Sequence, residues 1–363
     1  MNTQPNIPDG PRPISNGVEP EANQDQIQTE AAPVPEMVQE AAPASSRPPL
    51  GRVIVGAIFL AVSLVGGMGL VVAALPSLPT RGEANIAAAQ AAPHDAYQSL
   101  QLEGKGIYIT DLATGKVLFA REPNAQLPLA SLTKVALALV VSEVLSPEEI
   151  ITISRSAVIR GEGGLTMGEE WLARDLIDYM LIASSNTAAE GLAEAAEGRL
   201  RGKYPEAPRG EAAVWRMNSL AERLGLQSTY FVNASGLDES TTQAGALGSS
   251  KDIAGLFAYA LRANRSLFAG TVRAGEVVGP LNMPKKEAHN TNEVLSSIPN
   301  IIMGKTGLTD LAGGNLAIVF DAGVNHPVVI VVLSSTPEGR FEDMKKLVAT
   351  TLHVLAVETK LRE

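Results

Sequence analysis

The sequence predicts an α+β fold for the folded part of the chain, residues 102–363, with an antiparallel sheet flanked by helices and an all-helical lobe. Two short runs of strand-forming residues lie near the start of this part, and two longer runs rich in β-branched residues lie near its end. Most segments between them repeat apolar residues at helical spacing. Because strands lie at both ends and helices in the middle, the terminal strands are expected to pair into one sheet.

The local patterns place the individual elements. The predicted strands are, in order, Gly106–Thr110, Val117–Ala120, Asn315–Phe320 and Pro327–Leu333. The predicted helices are one that begins at Ser131, then Glu170–Ile182, Thr187–Glu197, Glu211–Leu224, one that Ser249 or Ser250 caps and that ends at Ala263, and a last one from Phe341 to about Thr359.

Residues 1–50 are rich in Pro, Glu, Gln and Ala and are predicted to form a disordered acidic tail. This stretch contains seven acidic residues, from Asp9 to Glu40, and only two basic ones, Arg12 and Arg47. Such a composition cannot bury enough apolar surface to fold alone.

Residues 53–75 are predicted to be a transmembrane helix, because these 23 residues carry no charge. A cleaved signal peptide is the alternative, but its apolar core is shorter and about fifty residues precede this stretch. Arg47 and Arg52 precede the span and Arg81 follows it, so the tail is expected in the cytoplasm. Residues 76–101 are predicted to be a linker, within which later cleavage remains an alternative.

The composition argues against several classes of function. The net charge of −10 does not favour a nucleic-acid surface. The absence of cysteine excludes disulfides, iron–sulfur clusters and cysteine-based zinc sites. No H-E-x-x-H motif occurs, and no metal or cofactor is predicted. The four histidines are far apart in the sequence: His94, His289, His326 and His353.

Ser131 and Lys134 stand three residues apart at the start of a helix-like segment. Positions i and i+3 share a helix face, so the lysine amine can reach the serine hydroxyl. A serine becomes a nucleophile when a nearby base accepts its proton. The alternative is a surface serine beside a surface lysine.

Two further polar clusters interrupt apolar segments. The first, Ser184-Ser185-Asn186, is either a helix N-cap or a second hydroxyl and an amide beside the nucleophile. The second, Met303–Gly307, is either a turn before a strand or part of the same site. A phosphate-binding loop is excluded, because it requires glycine where Pro299 stands.

The order of these clusters resembles the penicillin-recognising serine enzymes, which include D,D-peptidases, penicillin-binding proteins and serine β-lactamases. The three motifs are Ser131-x-x-Lys134, Ser184-x-Asn186 and Lys305-Thr306-Gly307. Four flanking segments resemble the D-alanyl-D-alanine carboxypeptidase family, the low-molecular-weight penicillin-binding proteins. These segments are Asp111–Lys134, Phe231–Asp238, Asn290–Asn292 and Phe341–Asp343.

The resemblance covers roughly residues 102–360 and implies a β-lactamase/transpeptidase-like fold, with the active site between the sheet and the helical lobe. It implies a serine-type carboxypeptidase that acts on peptidoglycan stem peptides ending in D-Ala-D-Ala and is acylated by β-lactams. Such a domain would face the periplasm or cell wall from a single-pass anchor in the cytoplasmic membrane.

The resemblance also implies catalytic roles. Ser131 would attack the substrate carbonyl, and Lys134 would act as its base when a low pKa keeps the amine neutral. Ser184 would relay a proton to the leaving amine, and Asn186 would hold Lys134 and the substrate amide.

A second group of residues is implied to bind the substrate. Lys305 and Thr306 would bind the terminal carboxylate, and Gly307 would leave room for a close backbone approach. The backbone N–H groups of Ser131 and Leu308 would form the oxyanion hole. Leu308 stands where many relatives have an aromatic residue or histidine, so substrate contacts there are expected to differ.

Three other functions remain as alternatives. A D,D-endopeptidase that cuts cross-links is the nearest. A class A β-lactamase is less favoured, because no Glu-x-x-Leu-Asn pattern lies between Asn186 and Lys305. A non-catalytic wall-binding or sensor protein is the third, and the intact motif side chains argue against it.

Overall fold

A computed structural model of the protein describes residues 95–362. The predicted tail and the predicted transmembrane helix lie outside these residues. Within the part that is described, no helix combines the length and apolar character that crossing a membrane requires.

Packed structure begins earlier than the predicted boundary at residue 102. Asp95–Gln98 forms a short helix (α1), and the Tyr97 side chain is fully buried. Its ring stacks on Phe119 at 5.1 Å, and its hydroxyl donates to Thr351 Oγ1 at 3.0 Å. The folded region therefore begins before Leu102, within the last residues of the predicted linker 76–101, because one aromatic residue anchors an otherwise Ala- and Gln-rich segment.

The predicted antiparallel sheet is confirmed. Its five strands are β1 (Gly106–Asp111), β2 (Val117–Arg121), β10 (Ile301–Thr309), β11 (Gly313–Asp321) and β12 (Pro327–Ser335). They lie in the order β10-β11-β12-β1-β2, and every neighbouring pair is antiparallel. Strands from the two ends of the domain thus meet at β1 and β12.

The other elements fill the middle and the end of the chain. The short strands are β3 (Leu127–Pro128), β4 (Ile150–Thr152), β5 (Glu170–Leu172), β6 (Tyr230–Phe231), β7 (Ala246–Gly248), β8 (Gly275–Val278) and β9 (Lys286–His289). The helices are α2 (Thr133–Val141), α3 (Arg155–Arg160), α4 (Ala173–Ile182), α5 (Asn186–Lys203), α6 (Ala212–Arg223), α7 (Ser250–Asn264) and α8 (Gly339–Arg362). The 3₁₀ segments within residues 95–362 are Ala130–Leu132, Arg265–Val272 and Leu295–Ser297.

The sheet separates two apolar cores, because side chains alternate between its faces. On β12, Val329, Val331 and Leu333 face the core shared with α7 and the helical lobe. The intervening Val328, Ile330 and Val332 face the core covered by α8. Helix α2 lies inside the first core, and all nine of its residues are buried.

The structure decides four local points that the sequence predicted differently or left open. Glu170–Leu172 was expected to open a helix but forms β5, which pairs with Ile150–Thr152. Of the two interpretations of Met303–Gly307, the turn is excluded, because the cluster lies within β10. Ser131 lies in the 3₁₀ turn just before α2. The helix predicted at Thr187–Glu197 exists but runs from Asn186 to Lys203.

Candidate active site

The three sequence motifs meet between the sheet and the helical lobe, as their hydrogen bonds show. Ser131 precedes α2, Ser184 lies in the turn between α4 and α5, and Lys305 lies on β10. The backbone is left-handed at Ala130 (φ 49°) and at Ser184 (φ 59°). Because such conformations are unfavourable for residues with a Cβ, both turns are held by their surroundings.

Ser185 has a structural role inside its motif. Its hydroxyl accepts a hydrogen bond from the backbone N–H of Ala188 at 3.2 Å and so caps α5. This capping places Asn186 in the first turn of the helix. The two interpretations of this cluster are therefore compatible, since Ser185 starts the helix that presents Asn186.

Lys134 is the centre of the site. Its side chain is fully buried. Its Nζ lies 2.7 Å from Ser131 Oγ, 2.7 Å from Asn186 Oδ1 and 2.8 Å from the backbone oxygen of Ser235. The i, i+3 contact expected between Ser131 and Lys134 is therefore present.

These three contacts determine where a neutral Lys134 would present its lone pair. The oxygens of Asn186 and Ser235 can only accept, so they take the two N–H groups of a neutral amine. The Ser131 hydroxyl can donate as well as accept. The lone pair of Nζ then faces the Ser131 proton, which is the geometry that a general base requires.

The protonation of Lys134 depends on burial. Burial lowers its pKa from 10.5 to about 7, and the negative charge of Glu190 acts in the opposite direction. Glu190 follows Asn186 by one helical turn on α5, and Arg160 pairs with it at 2.9 Å. A substantial fraction of Lys134 is therefore neutral near pH 7.

Lys305 lies on the opposite side of the cleft from α2. Its Nζ donates to Ser184 Oγ at 2.8 Å and to the backbone oxygen of Thr306 at 3.0 Å. Burial lowers the pKa of Lys305 well below its usual value, and the charges of Lys134 and Arg340 lower it further. An anion bound beside Lys305 would offset this cost and favour its ammonium form.

Two glycines allow close packing around the turn Ala130–Leu132, which we call the nucleophile turn after the role expected for Ser131. A Cβ at Gly307 would lie 2.7 Å from the backbone oxygen of Leu129. A Cβ at Gly236, where φ is +79°, would lie 2.0 Å from the backbone oxygen of Ala130. A side chain at either position would overlap the backbone next to Ser131, so one of the two packed segments would have to move.

Strand β10 presents backbone groups to the cleft. The Gly304 N–H donates outside the sheet, to Thr271 Oγ1 at 3.2 Å. Alternate residues of a strand direct their N–H groups to the same side, so the N–H groups of Thr306 and Leu308 point away from β11. The Leu308 side chain is half exposed.

Several residues that sequence reasoning did not assign complete this site. The Asn315 side chain donates to the backbone oxygens of Pro128 and Leu129, both at 3.0 Å, and so ties the nucleophile turn to β11. Arg340 donates to the Gly307 oxygen at 2.6 Å. Ser235 acts through its carbonyl, and a backbone contact has no side-chain pattern that could reveal it.

Comparison with known proteins agrees with this arrangement. The sequence model of the D-alanyl-D-alanine carboxypeptidase family matches residues 89–336, a range that includes all three motifs. The chain is 28% identical over 252 residues to the D-alanyl-D-alanine carboxypeptidase DacF of Bacillus subtilis. The matched region covers 68% of this chain and 61% of that protein. It is 31% identical over 245 residues to a D-alanyl-D-alanine endopeptidase of Pseudomonas aeruginosa, covering 65% and 72%.

A solved structure shows the same fold. Penicillin-Binding Protein D2 of Listeria monocytogenes in its ampicillin-bound form superposes with a TM-score of 0.58 at 26% identity, covering 69% of this chain and 98% of that one. Together with the family match, this likeness confirms the predicted family and the transpeptidase-like α+β fold. The chain therefore belongs to the D-alanyl-D-alanine carboxypeptidase family.

Proposed function

We propose that the protein is a serine-type D-Ala-D-Ala carboxypeptidase that trims peptidoglycan stem peptides through an acyl-enzyme on Ser131. The observation that carries this proposal is the buried Lys134 amine, held by two acceptors and aimed at the Ser131 hydroxyl. The family membership supports the substrate class.

In the acylation step, Ser131 Oγ attacks the carbonyl carbon of the penultimate D-alanine while neutral Lys134 accepts its proton. The N–H groups of Ser131 and Leu308 stabilise the oxyanion. Collapse of the intermediate breaks the peptide bond. The proton that Lys134 took from Ser131 moves through the Ser184 hydroxyl to the leaving amine, which returns Lys134 to its neutral form. The products are free D-alanine and a peptide esterified to Ser131.

In the deacylation step, water attacks the ester carbonyl and Lys134 accepts a proton from that water. The Ser131 oxygen leaves and regains a proton, and the shortened peptide is released with a new carboxylate. β-Lactams would acylate Ser131 through the same groups and act as covalent inhibitors, without a cofactor.

The substrate carboxylate has a second role in this proposal. It binds beside Lys305 and Thr306, where it favours the ammonium form of Lys305. Charged Lys305 and charged Lys134 repel each other, but the bound carboxylate carries the opposite charge and largely balances the Lys305 ammonium. The substrate thus allows Lys305 to be charged while Lys134 stays neutral.

The location of the enzyme follows from its substrate. In this proposal the peptidase domain includes residues 95–363, and the uncharged stretch Val53–Leu75 anchors it as a single transmembrane helix in the cytoplasmic membrane. Residues 1–50 lie in the cytoplasm, and residues 76–94 join the span to the domain. The cleft then faces the periplasm or cell wall, where stem peptides occur.

Covalent labelling tests the proposal. Purified protein should bind fluorescent penicillin covalently and release D-alanine from a stem pentapeptide, and Ser131→Ala should do neither. Full labelling of Ser131→Ala, or no labelling of the wild type, would show that the site is not this enzyme. Cleavage of a cross-linked dimer without D-alanine release from the pentapeptide would instead support the endopeptidase function named for the Pseudomonas relative.

The pKa of Lys134 predicts how labelling depends on pH. Because neutral Lys134 is the active form and its pKa is about 7, the labelling rate should rise as pH increases through about 7 and then level off. Asn186→Asp would place a carboxylate beside Lys134, 2.7 Å from Nζ if it keeps the geometry of the amide oxygen. This charge raises the pKa of Lys134, so the rise should move upward by roughly one unit or more.

The matched control is Asn186→Ala, which removes the same hydrogen bond without adding charge. The labelling rate of this variant should fall, but the pH at which the rate rises should not increase. An unshifted rise in Asn186→Asp would contradict Lys134 as the base. Penicillin labelling rates between pH 5 and 10 provide the measurement.

A further inference from the structure

The segment Asn290–Asn292, which follows β9, is fixed against the helical lobe. The Asn290 side chain donates to the backbone oxygens of Thr271 and Arg273 at 2.9 and 2.8 Å. The backbone N–H of Thr291 donates to the Ile182 oxygen at 3.3 Å. Ile182 ends α4 two residues before Ser184, so Thr291 is fixed relative to the Ser184 turn.

The Thr291 hydroxyl contacts the third motif. Its Oγ1 lies 2.5 Å from Thr306 Oγ1, and the Thr306 side chain is almost fully buried. Within residues 95–362, neither hydroxyl has another hydrogen-bond partner. Thr291 therefore connects the Ser184 turn with the strand that carries Lys305 and Thr306.

One hydrogen bond between two hydroxyls leaves one proton free. If Thr306 donated to Thr291, it would present only lone pairs to an incoming carboxylate, which can only accept. If Thr291 donates to Thr306, the Thr306 proton is free for the carboxylate. The second direction also forms a chain of hydrogen bonds ending on an anion, in which each bond polarises the next.

We propose that Thr291 is a positioning residue whose hydroxyl donates to Thr306 and so directs the Thr306 proton to the terminal carboxylate of the substrate. This inference rests on the proposed function. It assigns to Thr291 no contact with the reacting atoms, and it makes recognition of the carboxylate depend on a residue outside the three motifs.

Thr291→Val tests this proposal because it keeps the shape of the side chain and removes its hydroxyl. The value of kcat/KM for a peptide ending in D-Ala-D-Ala should fall roughly tenfold. The acylation rate with an acyl-D-alanine p-nitrophenyl ester, whose leaving group has no carboxylate, should stay within twofold. Thr291→Ser keeps a hydroxyl and should restore the peptide rate.

A double-mutant cycle strengthens the test. Thr306→Val removes the carboxylate donor, so adding Thr291→Val should cause no further loss of peptide activity. Equal losses with peptide and ester, or a full additional loss in the Thr306→Val background, would overturn the proposal. So would unchanged peptide activity in Thr291→Val.

Two controls keep the result interpretable. If the wild type releases no D-alanine, the proposed function itself is wrong. If only the Thr291 variants behave differently from expectation, the inference on Thr291 is wrong and the proposed function stands. If Thr291→Val lowers the melting temperature strongly, Thr291→Ala is compared instead, and the ratio of peptide to ester rates decides. An unchanged ratio in Thr291→Ala would contradict the role of the hydroxyl.

Discussion

Lys134→Met is expected to slow the acylation of Ser131 by about a thousandfold, because a general base contributes roughly 10²- to 10⁴-fold. The methionine fills a similar volume but cannot accept the serine proton. Rates of fluorescent penicillin labelling at pH 8, where most wild-type Lys134 is neutral, measure the loss. If labelling stayed within tenfold of wild type, Lys134 would not be the base.

The same variant should remain folded. Substitution leaves the oxygens of Asn186 and Ser235 without their donor, but it also removes an amine whose charged form is costly in the buried site. The two effects oppose each other, so its melting temperature should stay within a few degrees of wild type. Lys345→Met removes only a half-exposed partner of Glu342 and should alter neither quantity.

The pH dependence of stability provides an independent check on Lys134. Between about pH 7 and 10.5, an unfolded lysine keeps its proton while folded Lys134 has lost it, so raising the pH favours the folded state. This contribution is about 1.4 kcal/mol per pH unit. Lys305, whose pKa is also lowered, adds to the pH dependence of stability in the same direction in wild type and in Lys134→Met, so the comparison of the two isolates Lys134. The free energy of unfolding of wild type relative to Lys134→Met should therefore rise by roughly 2 kcal/mol between pH 7 and 9.

Gly236→Ala is expected to destabilise the protein and to inactivate it. Gly236 has φ +79°, and an added Cβ would lie 2.0 Å from the Ala130 oxygen and 2.5 Å from Thr133 Oγ1. Either the turn before Ser131 or the loop at Gly236 must move. The left-handed conformation costs about 1–2 kcal/mol and the overlap about 1–3 kcal/mol more.

The loss of activity should exceed what the loss of stability explains. A displacement of about 1 Å in the nucleophile can cost on the order of a hundredfold in rate. Gly225→Ala is the matched control, since Gly225 has φ +71° and no atom within 4 Å of an added Cβ. Urea unfolding and penicillin labelling should separate the two variants, and equal results for both would contradict the close approach at Gly236.

The sequence predicted those helices and strands whose own residues repeat apolar side chains at the spacing of the element. Pro327–Leu333 alternates two buried faces, and its strand was predicted nearly to the residue. Strand β10 was missed, because Gly304-Lys305-Thr306-Gly307 contains no run of strand-forming residues. Its conformation depends on pairing with β11, where Lys305 stands opposite Ala317. Where the local preference for a strand is weak, pairing with a neighbouring strand thus determines the backbone conformation.

The residues of the candidate site likewise fall into those that the sequence motifs identify and those whose role depends on the fold. The motif order was sufficient to select Ser131, Lys134 and Lys305, whose side chains carry the chemistry in the proposed mechanism. Asn315 was predicted only as the first residue of a strand, although its amide holds the nucleophile turn. The carbonyl of Ser235 was not predictable at all, because any residue supplies one and only the fold brings it to Lys134.

The position of β10 has a consequence for the behaviour of the molecule in solution. An edge strand with free backbone groups recruits strands from other molecules and so promotes aggregation. Here the Gly304 N–H is bonded to Thr271, and the Thr306 oxygen accepts from Lys305 Nζ. The Thr306 N–H and the backbone groups of Leu308 form a short open stretch beside the site. A short extended ligand can pair with this stretch, whereas a strand of another protein molecule finds too few groups to bind. The short length of the open stretch therefore limits both what β10 can bind and how far this edge can recruit another strand.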